Sequence, residues 1–182
     1  MRRTTLICAL SLATAGWLLA PAADAAPGDN GKPKDTVKVE LTADDEVPIA
    51  ISDASGELLL TIDAENGTID YTLTYVALEG NVTQAHIHIG QKNVAGGIVL
   101  WLCQTATNTA PATVPVPPTC PAGHSGTVSG TLTAANVVPN VQAVGTASLD
   151  DVIEAIRRGN AYGNVHSSVS GGGEIRGQIH HH

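Results

Sequence analysis

Apolar and polar residues alternate along most of the chain, and this period of two predicts short β-strands. Thr36-Val37-Lys38-Val39-Glu40-Leu41 is the clearest example. Between two such runs, Asn66-Gly67 predicts a hairpin, because both residue types tolerate positive φ angles. The predicted strands cover residues 36–41 (continued as an edge by 47–51), 56–63, 68–78, 82–89, 97–103, 125–132, 160–167 and 173–179.

One segment, residues 148–158, has helical periodicity instead. Ser148 is suited to cap its first turn, an apolar stripe runs through Val152 and Ile156, and Gly159 follows its last residue. Eight or so strands and a single short helix predict one all-β domain, a β-sandwich or a Greek-key barrel.

Composition narrows the possible functions. The 182 residues carry a net charge of −8, which argues against binding to nucleic acid or to an anionic membrane surface. Hydrophobic residues make up 43% of the chain, so it is not a disordered acidic tail. Phe is missing and aromatic residues reach only 3%, so the core must consist mainly of aliphatic side chains.

The N-terminus has the pattern of an export signal. Arg2 and Arg3 precede an apolar run, and Ala23-Asp24-Ala25 offers a cleavage site. We interpret residues 1–25 as a signal peptide, 26–35 as a flexible linker and 36–180 as the folded domain. A membrane anchor is the alternative, although the apolar run is short for a bilayer span. We therefore expect a secreted or periplasmic protein without a membrane span after cleavage.

Two cysteines follow this segment, Cys103 and Cys120. In an oxidising compartment they are expected to form one disulfide that closes a Pro-rich loop. A metal or redox pair is the alternative, but the two residues lack CxxC spacing.

The histidines carry the candidate chemistry. If residues 84–90 form a strand, Ala85, Ile87 and Ile89 share one face, which must be the core face. His86 and His88 then lie together on the outer face or in a cleft above it.

The same reasoning places further polar side chains on the outer face. Val165 turns inward, so Asn164 and His166 turn outward, and Glu174, Arg176 and Gln178 lie opposite inward-facing isoleucines. If these strands are neighbours, the imidazoles of His86, His88 and His166 converge into a site for copper or zinc, with Asn164 or Glu174 orienting a ring. Histidines that are simply hydrogen-bonded on the protein surface are the alternative.

The other histidines are weaker candidates. His124 lies among Gly and Ser and is expected to be an exposed loop residue. His180, His181 and His182 end the chain as either a native tail or a tag remnant.

Four segments together resemble the chordin-type (CHRD) domain over residues 36–180. They are Glu46-Val47-Pro48, 85–90, 161–167 and 172–178. The resemblance implies an immunoglobulin-like β-barrel that is distantly similar to Cu/Zn superoxide dismutase. His86 and His88 then resemble the copper-binding pair of the dismutase, His166 its later copper ligand, and Arg176 the arginine that attracts the anion. The likeness to the dismutase fails at the bridging histidine and at the zinc ligands, because His124 is the only histidine between Gly90 and Asn160. The resemblance is therefore compatible with a copper-only site and not with a dinuclear one.

Three functions follow from these observations. We favour an extracytoplasmic protein that binds one copper (or zinc) ion. The first alternative is a noncatalytic module that binds a protein or a glycan without metal. The second is a copper-dependent enzyme acting on superoxide or peroxide, although we favour a nonenzymatic role. The metal, the partner and the oligomeric state stay open at this stage.

Overall fold

The computed structural model describes residues 34–142 and 148–180. The predicted signal peptide and most of the predicted linker lie outside the described residues. Among those described, no helix has the length and hydropathy needed to cross a bilayer. The elements are β1 (Asp35–Thr42), β2 (Ser55–Asp63), β3 (Thr68–Val76), β4 (Val82–Ile89), β5 (Gly97–Cys103), β6 (Gly126–Leu132), a 3-10 turn (Ala134–Asn136), α1 (Leu149–Arg157), β7 (Ala161–Ser167) and β8 (Ile175–Ile179).

The eight strands of the described residues belong to one antiparallel sheet with the order β5-β4-β7-β8-β1-β2-β3-β6. The two edge strands, β5 and β6, also contact each other, so the sheet is nearly closed into a barrel. The predicted all-β fold with one short helix is confirmed. The order also makes β4, β7 and β8 consecutive neighbours, which the candidate site requires.

The aliphatic faces of the strands fill the interior of the barrel. In β1, Val37, Val39 and Leu41 are buried while Lys38 and Glu40 face solvent. Full burial of each such side chain contributes roughly 1.5–3 kcal/mol. A register slip by one residue would turn this apolar set outward, so the burial fixes the strand register.

The local signals at the hairpin and the helix are confirmed. Gly67 has a φ of 63° in the turn between β2 and β3. The Ser148 side chain accepts a hydrogen bond from the Asp151 amide at the start of α1, and Gly159, with a φ of 68°, follows its end. Val152, Ile153 and Ile156 bury the apolar face of the helix.

The predicted edge continuation at residues 47–51 is wrong, because residues 43–54 form a loop without strand pairing. The amides of Glu46 and Ala50 both donate to the Ala43 carbonyl, which curls the chain instead of extending it. Pro48 has no amide proton to give to a ladder. The residues whose pattern predicts a strand here belong to an exposed loop, in which Ile51 is 91% exposed.

Cys103 and Cys120 form the predicted disulfide, which ties the end of β5 to the Pro-rich segment before β6. The hydroxyl of Tyr75 holds the same segment by donating to the carbonyl of Pro121 at 2.6 Å. Tyr71 donates to the Leu102 carbonyl of β5 itself, at 2.5 Å. The long loop is therefore anchored to β5 by the disulfide and to β3 by Tyr75, and β5 lies next to the strand that carries two of the candidate histidines.

We predict that the Cys103→Ala/Cys120→Ala variant loses about 3 kcal/mol of unfolding free energy, because the disulfide closes a loop with a sequence separation of 17. Denaturant titration of the variant and of the parent protein measures the difference. The parent protein in reductant should match the variant. Equal midpoints for the oxidised parent and the variant would contradict the prediction.

Candidate metal centre

Strands β4 and β7 bring the three predicted histidines onto one face of the sheet. They pair antiparallel, with His86 opposite Asn164 and Gln84 opposite His166. Ala85, Ile87 and Val165 are fully buried in the core on the opposite face, as the alternation predicts. His86, His88 and His166 are called the histidine cluster below.

Strand β5 completes this face from the other side of β4. Its register against β4 shifts between Ala85 and His86 and again between Ile87 and His88. Such irregularities change the direction of side chains locally. Trp101 lies opposite His86, and their ring centroids are 4.2 Å apart in an edge-to-face arrangement.

The rings of the histidine cluster are close enough to share one ion. The His86 centroid lies 5.4 Å from that of His88 and 5.0 Å from that of His166. One ligand nitrogen from each residue lies within 4.8 Å of the other two. Three such atoms all lie within 4.8/√3, or about 2.8 Å, of a common point. Metal–nitrogen bonds of 2.0–2.1 Å therefore require each ring to move by less than ~1 Å.

Two loops cover the cluster, which is buried although it lies outside the apolar core. The relative exposures of His86, His88 and His166 are 0%, 7% and 6%. In the loop between β4 and β5, the Gly96 carbonyl lies 3.0 Å from His88 Nδ1. In the loop between β7 and β8, the Gly171 carbonyl lies 3.0 Å from His166 Nδ1.

These carbonyl contacts determine which nitrogens are free. A carbonyl only accepts, so Nδ1 of His88 and of His166 must carry the proton and donate it. Nε2 of each ring then holds a lone pair, and neither atom has a hydrogen-bond partner among the described residues. Both nitrogens of His86 also lack a partner. Every ring thus offers an unused nitrogen, as a metal ligand must.

The surroundings favour the neutral rings. Burial holds the pKa of His86 well below its ordinary value, and the neighbouring His166 and His88 act in the same direction. Burial lowers the pKa of His88 to about 4, against the opposing effect of the Gly96 carbonyl. Burial also lowers the pKa of His166. All three imidazoles are therefore ready to coordinate without losing a proton at neutral pH.

A second stack of side chains adjoins His88. The ring of Tyr162 lies parallel to the His88 ring, with 4.6 Å between centroids. The guanidinium carbon of Arg176 lies 3.4 Å from the Tyr162 centroid. The Gly96 amide donates to the Tyr162 hydroxyl at 3.0 Å, so this one residue holds both Tyr162 and His88.

The predicted supporting residues Asn164 and Glu174 make their hydrogen bonds to groups other than the histidines. Asn164 donates from Nδ2 to Glu46 Oε2 at 2.5 Å. Oε1 of Glu174 accepts from the Ser52 hydroxyl and the Glu79 amide. Backbone carbonyls, rather than Asn164 or Glu174, accept the hydrogen bonds that the imidazoles of His88 and His166 donate.

The two other described histidines, His124 and His180, lie outside the cluster. His124 is exposed in the loop before β6, as predicted, and its Nδ1 lies 2.6 Å from the Leu78 carbonyl. His180 is exposed after β8, while His181 and His182 lie outside the described residues.

Sequence reasoning missed several residues that contact the cluster. Tyr162 was within reach, because it lies two positions before Asn164 in β7 and must share its face. Trp101 could not be placed from the sequence, because β5 is apolar throughout and the alternation of apolar and polar residues cannot distinguish its two faces. The carbonyls of Gly96 and Gly171 belong to loops, whose course side-chain patterns do not reveal.

We predict that the metal-free protein becomes less stable between pH 6.5 and pH 4. The folded state holds the pKa of His88 at about 4, below its unfolded value of about 6.5, so the unfolded state binds more protons in this window. The contribution of His88 to the unfolding free energy is complete above pH 6.5, and it falls by roughly 3 kcal/mol as the pH drops through this window. Unfolding free energies across this range measure the effect. A His88→Gln variant with the same pH dependence as the parent would contradict it.

We also predict that Gly96→Ala costs ~1–3 kcal/mol of unfolding free energy, because its Cβ would collide with the backbone carbonyl of Ile89. Gly171→Ala is the matched control. Gly171 also contacts a cluster histidine through its carbonyl, but no atom of the described residues is recorded within 4 Å of its added Cβ. Thermal or denaturant unfolding compares the two variants, and equal losses would show that close packing at Gly96 is unimportant.

Comparison with known proteins identifies a family but no individual relative. No curated protein and no solved structure shows a significant match, so the likeness to Cu/Zn superoxide dismutase stays a prediction. Residues 37–179 match the family model described as the CHRD domain, in agreement with the resemblance found in the sequence. Because this match covers most of the 182 residues, the chain belongs to the CHRD domain family.

Proposed function

We propose that this CHRD-domain protein binds one copper or zinc ion through His86, His88 and His166. The observation that carries the proposal is the convergence of three buried imidazoles, each of which holds a nitrogen without a hydrogen-bond partner among the described residues.

The alternative of ordinary hydrogen-bonded histidines fits these contacts poorly. A buried polar atom without a partner costs ~1–3 kcal/mol, and each ring of the cluster holds at least one such nitrogen. A single ion that accepts a lone pair from each ring satisfies one such nitrogen on every ring. A cluster that served only packing would be replaced at lower cost by apolar side chains.

The donor chemistry agrees with a transition metal. Neutral imidazoles suit copper and zinc, whereas magnesium and calcium prefer oxygen ligands. The carbonyls of Gly96 and Gly171 are the type of outer partner that fixes the tautomer of a ligating histidine. Three protein ligands would leave a bound zinc ion one further position for water or another small ligand.

An extracytoplasmic location fits this function. The disulfide between Cys103 and Cys120 suits an oxidising compartment, and the predicted signal peptide would lead the chain there. We accordingly propose a secreted or periplasmic protein.

Family membership favours a second candidate, a noncatalytic extracellular module that binds a protein or a glycan without metal. Such a module would be indifferent to chelators. We do not extend the proposal to superoxide or peroxide chemistry. Arg176, which the resemblance assigns to attracting an anion, is buried and donates instead to the carbonyls of Gln91 and Val94.

We predict that the protein binds one equivalent of Cu or Zn when His180, His181 and His182 are replaced by serine to remove the terminal chelating group. Replacing His86, His88 or His166 by alanine should each weaken binding at least ~100-fold, because two remaining imidazoles cannot enclose the ion. Competition against chromogenic chelators gives the affinities, and elemental analysis after desalting gives the stoichiometry.

His124→Ala is the matched control for these variants, because His124 is exposed and lies outside the cluster. It should bind metal like the parent. Circular dichroism checks that each variant is folded. A folded triple His→Ala variant that still retains one equivalent, or a parent that retains none, would refute the metal site and favour the interaction module.

A further inference from the structure

Arg176 is a buried cation whose hydrogen-bond acceptors are neutral. It is 2% exposed, and its guanidinium donates to the carbonyls of Gln91 and Val94, each at 3.1 Å, and to the Gln178 side chain at 3.3 Å. Within residues 34–142 and 148–180, no carboxylate lies within 4.0 Å of it. These neutral acceptors hold the group in place but do not cancel its charge.

The charge lies close to the histidine cluster. Arg176 stacks on one neighbour of His88, since the guanidinium covers the Tyr162 ring and that ring stacks on His88. Burial excludes most of the water that would otherwise screen the interaction. An ion held by His88 would therefore experience the field of Arg176.

The cluster supplies no negative charge to offset an ion. Its three ligands are neutral imidazoles, and no carboxylate or thiolate of the described residues joins them. Glu46 interacts electrostatically with Arg176 and accepts from Asn164, while Glu174 is held by Ser52 and Glu79. A bound monovalent ion thus leaves one net charge on the site, and a divalent ion leaves two.

Loss of hydration and repulsion from Arg176 both disfavour a divalent ion at this site. The cost of removing an ion from water grows with the square of its charge, and the site is buried. Repulsion from Arg176 grows in proportion to the charge, so a divalent ion experiences twice the repulsion. Three nitrogen donors can also complete a trigonal Cu(I) site, whereas zinc takes a fourth ligand.

We infer that the histidine cluster selects Cu(I) over divalent ions, and that Arg176 is the residue that sets this preference. The inference presupposes the three-histidine site proposed above and adds the oxidation state of the metal. Arg176 acts through its charge and contacts no metal.

The test compares affinities for Cu(I) and Zn(II) in the protein with His180, His181 and His182 replaced by serine. Cu(I) is measured anaerobically against bicinchoninate, with ascorbate as a reductant that leaves the disulfide intact. Zn(II) is measured against a chromogenic zinc chelator. We expect Cu(I) to bind at least ~100-fold more tightly than Zn(II).

Charge variants test the role of Arg176. Arg176→Gln should lower the Cu(I)/Zn(II) affinity ratio at least ~10-fold, mainly by strengthening Zn(II) binding, whereas Arg176→Lys should largely keep the ratio. Arg158→Gln is the control, because that arginine is exposed and pairs with Glu154 on α1.

Glu46→Gln is an independent test of the charge effect, because Arg176→Gln also removes buried hydrogen bonds. Glu46→Gln removes a negative charge that interacts with Arg176, so it should raise the Cu(I)/Zn(II) affinity ratio.

The outcomes separate the two proposals. If Zn(II) binds as tightly as Cu(I) and His86→Ala abolishes both, the metal site stands and the selectivity is overturned. If the parent prefers Cu(I) but neither Arg176→Gln nor Glu46→Gln changes the ratio, the role of Arg176 is overturned. If neither ion binds the parent, the metal site itself fails and the selectivity fails with it.

Discussion

The burial of aliphatic side chains on two adjacent strands is the constraint on which the candidate site depends. Ile87 in β4 and Val165 in β7 are fully buried inside the barrel, and strand geometry then sends their neighbours to the opposite face. His86, His88 and His166 are those neighbours. Because a register slip would expose the apolar set, the packing of the core also holds the imidazoles beside one another.

Packing alone would leave these rings on an open sheet surface, and the loops turn that surface into a site. Gly96 and Gly171 bring backbone carbonyls to Nδ1 of His88 and His166. These carbonyls fix the tautomers of the two rings, and the loops that carry them shield the cluster from solvent. The other nitrogen of each ring is left without a hydrogen-bond partner among the described residues. The same enclosure buries Arg176 next to Tyr162. A metal-ready cluster and a fixed positive charge therefore arise from one arrangement of strands and loops.

Much of this arrangement could be predicted from local patterns, and the rest depends on tertiary structure. The alternation of apolar and polar residues predicts the strands and places the three histidines on one face, because the apolar residues of each strand identify the side that faces the core. It failed at residues 47–51, where a loop without ladder partners happens to alternate. It could not show that β4 and β7 are neighbours, because strand order arises from packing between distant segments. It also could not predict the carbonyls of Gly96 and Gly171, which carry no side-chain signal.

The central claim is that the three imidazoles hold one ion. The most direct measurement is a crystal structure of the copper-loaded protein, with His180, His181 and His182 replaced by serine, and with anomalous diffraction recorded at the copper edge. We predict a single anomalous peak about 2.0–2.1 Å from Nε2 of His88, Nε2 of His166 and one nitrogen of His86. A peak elsewhere, or an ordered protein with water molecules hydrogen-bonded to all three rings and no anomalous signal between them, would contradict the claim.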